Sequence, residues 1–208
     1  MAAGPIEETA GKPVPPGQEE RRRRIIDAAL SVASRGGYDA MQMRTVAERA
    51  NVALATLYRY FPSKIHLLVS ALASEFEDAR EKFGRGVIPG DTSAERLIFV
   101  LNRNTLMMQR NPDLTEAMVR SFLFADTSAA TEVEQVGRLM EDMFAQAIRI
   151  ERPSGRERAV FRLIADVWMS NLVAWITHRA TAKDVAERLE LSVKLLVGGS
   201  RSLGQQPA

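Results

Sequence analysis

The amino-acid sequence predicts an all-α fold of about nine helices. Apolar residues recur at intervals of three and four along most of the 208-residue chain, as they do on one face of a helix. No stretch of convincing length alternates apolar and polar residues in the way that a half-buried strand does. Glycine, proline and short polar residues interrupt the periodic segments and indicate where each helix begins and ends.

These interruptions place the predicted helices along the chain. Gly36 and Gly37 end the first helix, and Ser63 is a favourable N-cap for the fourth. Residues 1–18 are rich in proline, glycine and glutamate, and we expect them to form a disordered tail. The first four predicted helices span residues 19–35, 44–50, 54–61 and 64–83. The fifth follows a cap at residue 91, 92 or 93 and ends at 110, and the sixth spans 111–126. The seventh follows a cap at 128 or 131 and ends at 150, and the last two span 156–180 and 182–197.

Positive charge is concentrated in one segment of the chain. Residues 21–66 hold nine Lys and Arg against three Asp and Glu, whereas the net charge of the whole chain is only +2. Such a concentration is typical of a surface that binds nucleic acid. Within the segment, the run Arg21–Arg24 has two interpretations: a solvated charge run, or a set of contacts to a nucleic-acid backbone.

The composition argues against an enzyme. The chain has no cysteine and two histidines, and it lacks a glycine-rich phosphate loop and carboxylate pairs at catalytic spacing. The sequence therefore predicts no metal and no cofactor. No apolar run approaches the length that crosses a bilayer, and the N-terminus lacks a signal-peptide core, so we expect a cytoplasmic protein without a membrane partner.

Residues 42–64 carry the most specific pattern. They predict two short helices joined by a tight turn, with a further helix beginning after them. Val46, Ala47, Val52 and Leu57 are spaced so that they pack the two short helices together. The second helix carries side chains that donate hydrogen bonds to phosphates or base edges, namely Thr56, Tyr58, Arg59 and Tyr60. The pattern is a helix-turn-helix, which places its second helix in the major groove of DNA.

This segment resembles the TetR family of repressors. Val46 and Ala47 match the family's apolar pair, and Lys64 matches the lysine that opens its fourth helix. The recognition-helix pattern of the family is matched by Thr56, Leu57, Tyr58, Tyr60 and Phe61. The resemblance implies phosphate contacts for Thr56, Tyr58, Tyr60 and Lys64, and base contacts for Arg44 and Arg59.

The segment departs from the family pattern at three positions. Gln42 stands where threonine is common, although its amide still donates to a phosphate. Asn51 replaces the usual turn glycine and tolerates the left-handed conformation. Ala53 replaces a serine cap, so we expect the recognition helix to begin with a weaker cap.

Residues 67–200 are expected to form a helical domain for ligand binding and dimerisation. The helix at 64–83 joins it to the helix-turn-helix domain of residues 19–66. His66 in its first turn is expected to be exposed or to pack locally, and an approach to DNA is the alternative. The last two helices are long and amphipathic, as in the four-helix seam of a dimer, and the resemblance implies the same homodimer.

The middle helices are rich in methionine and phenylalanine, a composition that suits a cavity for a large apolar ligand. For any single one of these residues, an ordinary core position is the simpler interpretation. Asn104 and Asn171 interrupt apolar helix faces, and each needs a ligand, a backbone group or a second subunit as its partner. The candidate ligand-binding residues are Asn104, Met107, Met108, Met118, Phe122, Met143, Trp168 and Asn171.

Segments 108–118 and 166–175 resemble one branch of the TetR family, and the likeness extends over about residues 20–200. That branch represses genes of cholesterol and steroid catabolism. The resemblance implies a repressor that binds double-stranded operator DNA as a dimer. Its release would follow binding of a large apolar inducer, a coenzyme A thioester of a steroid degradation intermediate. The alternative is a DNA-binding regulator with a different apolar ligand or with none.

Overall fold

A computed structural model describes residues 16–198, and every regular element in that range is helical. The nine predicted helices are all present, close to their predicted ends. The elements are α1 (Pro16–Ala33), α2 (Gly37–Ala40), α3 (Met43–Arg49), α4 (Leu54–Tyr60), α5 (Lys64–Gly84), α6 (Ser93–Gln109), α7 (Pro112–Leu123), a 3₁₀ turn (Thr127–Ala129), α8 (Ala130–Ala147), α9 (Gly155–Ile176) and α10 (Ala182–Gly198).

Helices α7 and α8 each end three residues before their predicted ends, the 3₁₀ turn was not predicted, and three further differences have a clear physical reason. The single-turn helix α2 was not predicted, because four residues are too few to show a helical period. Helix α1 begins at Pro16, so residues 16–18 of the predicted tail are helical, and residues 1–15 lie outside the described residues. Helix α9 ends at Ile176 rather than at 180, since His178 adopts a left-handed conformation (φ 57°) and turns the chain toward α10.

Five of the longer helices begin with a side chain that accepts a hydrogen bond from a first-turn amide. In α6, α9 and α10 the cap is reciprocal, because Glu95, Glu157 and Asp184 accept from the amide of the capping residue in return. The five N-caps are Ser63, Thr92, Asn111, Ser154 and Thr181. These caps fix the residue at which each helix begins, and their residue types can be recognised in the sequence.

The buried apolar side chains of the described residues form two hydrophobic cores. The smaller core joins α1, α3, α4 and the start of α5, and it includes Ile25, Val46, Leu57 and Leu67. The larger core joins α5 to α10 around Trp168, which is 1% exposed. Helix α5 contributes to both, with Leu67, Leu68 and Ala71 in the smaller core and Val69, Leu72, Ala73 and Phe76 in the larger one.

Helix α9 is long and apolar enough to cross a bilayer by length and composition alone, contrary to the expectation from the sequence. The core helix of a soluble protein passes the same test. Phe161, Ile164 and Trp168 of α9 are buried in the larger core, and 33% of the most apolar 18-residue stretch of the helix is buried.

His66 is buried, whereas the sequence predicted an exposed or locally packed side chain. Its Nε2 lies 3.0 Å from the backbone oxygen of Ser128, and its Nδ1 lies 2.9 Å from Ser63 Oγ. Because a carbonyl oxygen only accepts, Nε2 donates to the Ser128 oxygen. His66 therefore joins the beginning of α5 to the 3₁₀ turn before α8.

Candidate nucleic-acid interface and ligand cavity

Helices α3 and α4 form the predicted helix-turn-helix. Val46, Leu57 and Phe61 are each no more than 1% exposed and hold the two helices against α1 and α5. Asn51 in the turn has a φ of 53°, the left-handed conformation that its asparagine tolerates. Ala53 caps α4 without a side-chain hydrogen bond, as its small apolar side chain predicts.

The predicted DNA-contacting side chains of α3 and α4 are accessible to a ligand. Gln42 and Arg44 are exposed at the beginning of α3, and Tyr58 and Arg59 are exposed on α4. Thr56 and Tyr60 are half-buried. Burial of Leu57 between them fixes the rotation of α4, so that its polar side chains face away from the smaller core.

Helix α1 adds cationic side chains to this surface. Arg21 and Gln18 line a cleft of about 410 Å³ together with Arg59 and Tyr60 of the recognition helix. Among the residues that the structure describes, no carboxylate lines this cleft, so its two guanidinium groups are available to an anion such as a backbone phosphate. The guanidinium of Arg22 instead lies 5.4 Å from the Phe61 ring centroid, in a cation–π contact.

Lys64 has partners within the protein. Its ammonium group donates a 2.7 Å hydrogen bond to the backbone oxygen of Tyr38 and lies 3.7 Å from the Tyr38 ring centroid. Partial burial lowers the pKa of this ammonium group below its ordinary value, against the opposing effect of the Asp39 carboxylate. An ammonium has three donors, so Lys64 retains capacity for a phosphate while Tyr38 holds it.

Four of the predicted ligand-binding residues surround a small cavity of about 60 Å³ between α5, α6 and α7, namely Asn104, Met107, Met108 and Met118. This volume is far below the roughly 300 to 1,000 Å³ of typical ligand pockets. The Asn104 amide donates to the Val100 backbone oxygen at 3.1 Å and to Met143 Sδ at 3.0 Å. The interior of the protein therefore provides the partner that Asn104 needs.

The other predicted ligand-binding residues do not line that cavity. The Trp168 indole donates to Thr105 Oγ1 at 2.9 Å within the larger core. The Asn171 amide donates to the Val167 backbone oxygen at 2.8 Å, one turn earlier on the same helix. Both polar groups are satisfied by the protein alone.

A second cavity, of about 670 Å³, opens between the end of α7 and helices α8 and α9. Phe122 is the single predicted ligand-binding residue that lines it. Its walls are mainly apolar, with Phe122, Val133, Met140, Phe161, Met169 and Val173 among the lining side chains. Arg162 and Arg179 add guanidinium groups to the lining, and Arg162 is paired with Glu141 at 2.9 Å.

One sequence signal for this second cavity was overlooked. Gly137 lies in the middle of α8, where glycine costs about 1 kcal/mol relative to alanine. It lines the cavity, and a Cβ built on it would have no neighbouring atom within 4 Å. A mid-helix glycine beside open space indicates where packing against α8 is incomplete.

The fold and the helix-turn-helix surface define a class of transcriptional regulators, and the chain belongs to the TetR family. Residues 25–71 match the family described as "Bacterial regulatory proteins, tetR family". Residues 90–196 match the family described as "Tetracyclin repressor-like, C-terminal domain". Members of this family regulate transcription and are not enzymes.

Particular relatives share most of the sequence. The chain is 60% identical over 187 residues to the HTH-type transcriptional repressor KstR of Rhodococcus jostii. The aligned region covers 88% of this chain and 86% of the relative. It is 54% identical over 185 residues to KstR of Mycobacterium tuberculosis, covering 89% and 84% of the two chains.

Solved structures share the fold. A TetR transcriptional regulator from Rhodococcus sp. RHA1 superposes with a TM-score of 0.82 at 28% identity, over 87% of this chain and 97% of that one. Thermus thermophilus FadR in complex with lauroyl-CoA superposes with a TM-score of 0.68 at 23% identity, over 90% and 100% of the two chains.

We predict that Arg44→Ala relaxes the base preference of DNA binding. An arginine that pairs with guanine contributes about 1 to 3 kcal/mol of discrimination against the wrong base. A selection of binding sites from a random DNA pool measures this preference. Gln42→Ala, at the neighbouring exposed position, should weaken binding while the selected sequence stays the same. An unaltered consensus for Arg44→Ala would remove Arg44 from the base-reading residues.

We predict that Arg21→Ala weakens binding to operator and random duplexes alike, because a phosphate contact carries no sequence information. The slope of log affinity against log salt should fall in magnitude by about one for the lost contact. Fluorescence anisotropy over a salt series measures both quantities. Arg103→Ala, which removes the same charge from an exposed position on α6, is the control. A loss restricted to the operator would contradict a phosphate contact.

Proposed function

We propose that this protein is a dimeric transcriptional repressor of the KstR type, which acts in the cytoplasm on genes of steroid catabolism. Identity of 54 to 60% to repressors of that name, over most of both chains, is the observation that carries the proposal. Two copies of the helix-turn-helix would bind a palindromic operator, with recognition helices about 34 Å, or one DNA turn, apart.

The exposed leucines of α9 and α10 support the dimer. Leu163, Leu191 and Leu195 are 50%, 59% and 66% exposed on these two helices. Large apolar side chains gathered on neighbouring helices mark a surface that a partner covers. A four-helix seam made of α9, α10 and their symmetry mates would cover them and would set the spacing between the two recognition helices.

The inducer in this proposal is a large apolar acyl-CoA, with a steroid-derived acyl group. The cavity between α7, α8 and α9 has the volume and apolar lining that such a group needs. The T. thermophilus regulator, of the same fold, was solved with lauroyl-CoA. The inducer releases DNA only if it binds the released conformation more tightly than the DNA-bound one.

The experiment that tests this function measures binding of the purified protein to the DNA upstream of its own gene, with and without acyl-CoA thioesters. A steroid thioester should release the operator more effectively than a fatty acyl-CoA of similar size. Preferential release by the fatty acyl-CoA would assign a different apolar ligand. DNA binding that no thioester changes would support the regulator without a ligand.

We predict that Gly137→Phe abolishes release by the thioester and leaves operator binding intact. The Gly137 position faces open space in the large cavity, so a phenyl ring there occupies volume that the ligand needs. Gly137→Ala is the matched control, because it adds only a methyl group and improves helix propensity by about 1 kcal/mol. Normal release of Gly137→Phe would place the ligand elsewhere, with the small cavity around Asn104 as the next candidate.

We predict that the double substitution Leu191→Glu with Leu195→Glu produces a monomer that binds half-sites weakly. Two charges on each α10 would be buried against each other in the proposed seam, at a high desolvation cost. Light scattering gives the mass, and anisotropy on full and half operators gives the affinity. Leu106→Glu, at a leucine of similar exposure on α6, should remain dimeric. A double variant that stays dimeric would place the interface on another surface.

A further inference from the structure

Tyr38 lies where the helix-turn-helix part meets helix α7. Its backbone amide donates a 3.0 Å hydrogen bond to Glu116 Oε2, on α7. Two cations approach its ring: Lys64 Nζ lies 3.7 Å from the ring centroid, and the guanidinium carbon of Arg120 lies 4.4 Å from it. Lys64 opens α5 and Arg120 lies in the last turn of α7, so one aromatic ring joins three helices.

The charges around this ring are balanced. Arg120 pairs with Asp39 at 3.2 Å and with Glu116 at 3.3 Å. Asp39 and Glu116 together offset the two cations, which would otherwise repel each other across the tyrosine. The pairs are partly exposed and each contributes little to stability by itself. These pairs affect the position of Lys64 more than they affect the free energy of unfolding.

The backbone before Tyr38 allows this close approach. Gly37 has a φ of +65°, which L side chains rarely adopt, and a Cβ there would meet Glu116 Oε2 at 3.0 Å. Ala117, the residue after Glu116 on α7, is fully buried in the smaller core. Helix α7 is therefore packed directly against the helix-turn-helix part.

Helix α7 also forms a wall of the large cavity. Phe122 and Leu123, which line that cavity, follow Arg120 by two and three residues in the same helical turn. A displacement of this turn changes the cavity wall and the Arg120 contacts together, because a helical turn moves as a rigid unit. Helix α7 is thus a direct connection from the cavity to Lys64.

We propose that Arg120 and Tyr38 are positioning residues for DNA binding. They hold Lys64 at the start of α5, beside the recognition helix, with donors left for a phosphate. They also transmit occupation of the large cavity to the helix-turn-helix, and this second part rests on the proposed function. A ligand that displaces the end of α7 separates Arg120 from Tyr38 and leaves Lys64 less ordered, which weakens operator binding.

The first test needs no inducer. Full-length Arg120→Ala should bind operator DNA about fivefold more weakly or worse, and Arg120→Lys should recover most of the affinity because it keeps a cation near Tyr38 and Asp39. Arg138→Ala is the matched control, since Arg138 pairs with Glu134 one turn away on α8 at 3.6 Å. Hydrogen exchange of residues 37–64 should accelerate in Arg120→Ala and not in Arg138→Ala.

Tyr38→Leu gives an independent measurement, because it keeps the backbone bonds to Glu116 and Lys64 and removes only the ring. It should weaken operator binding as Arg120→Ala does. Wild-type affinity in both variants, or an equal loss in Arg138→Ala, would overturn the positioning role. A loss in Arg120→Ala that Arg120→Lys does not recover would also count against it.

The second test adds choloyl-CoA, a steroid acyl-CoA thioester, as the probe. The ratio of operator affinities without and with the probe should fall toward one in Arg120→Ala and stay at the wild-type value in Arg138→Ala. An unchanged ratio in Arg120→Ala would overturn the transmission through α7. If the probe does not release the wild-type protein, the proposed inducer class fails, and the first test still decides the positioning role.

Discussion

Helix α5 buries one face in each of two hydrophobic cores, and the rest of the arrangement depends on this constraint. Leu67 and Leu68 belong to the smaller core, while Leu72 and Phe76 belong to the larger one. A helix of 21 residues with both faces buried cannot rotate or slide without disturbing one of the cores. The helix-turn-helix and the larger core are thereby built on a common element.

Polar contacts connect the first turn of α5 to neighbouring elements. His66 bonds to the 3₁₀ turn before α8, and Lys64 bonds to α2, so the first turn of α5 is held from two sides. Helix α7 contacts α2 as well, because Glu116 accepts a hydrogen bond from the Tyr38 amide and Arg120 pairs with Asp39. In the proposed function, a displacement of α7 would alter these contacts at the first turn of α5, directly beside the recognition helix, and so would change DNA affinity.

The helix-turn-helix could be predicted residue by residue because its determinants are local. Leu57 is buried, Asn51 adopts the left-handed conformation, and Ala53 provides no side-chain cap, each as its residue type predicts. The candidate ligand cavity was not predictable in the same way. Asn104 interrupts an apolar helix face as a ligand-binding residue would, and only the packing of α6 on α8 shows that Met143 and a backbone oxygen satisfy it. A methionine or phenylalanine shows the same helical spacing whether it lines a cavity or fills a core.

The sequence by itself determined the helices, their caps, the basic helix-turn-helix surface and the membership of the TetR family. The caps and the helix-turn-helix depend on residues close together in the chain, and the family is recognised from the order of such local patterns along it. The tertiary structure alone decided where open volume remains, that His66 is buried, and that Tyr38 joins Lys64 to Arg120 of α7. These features depend on the distances between helices far apart in sequence, and such distances follow from the fit of whole helix surfaces, which no local pattern records.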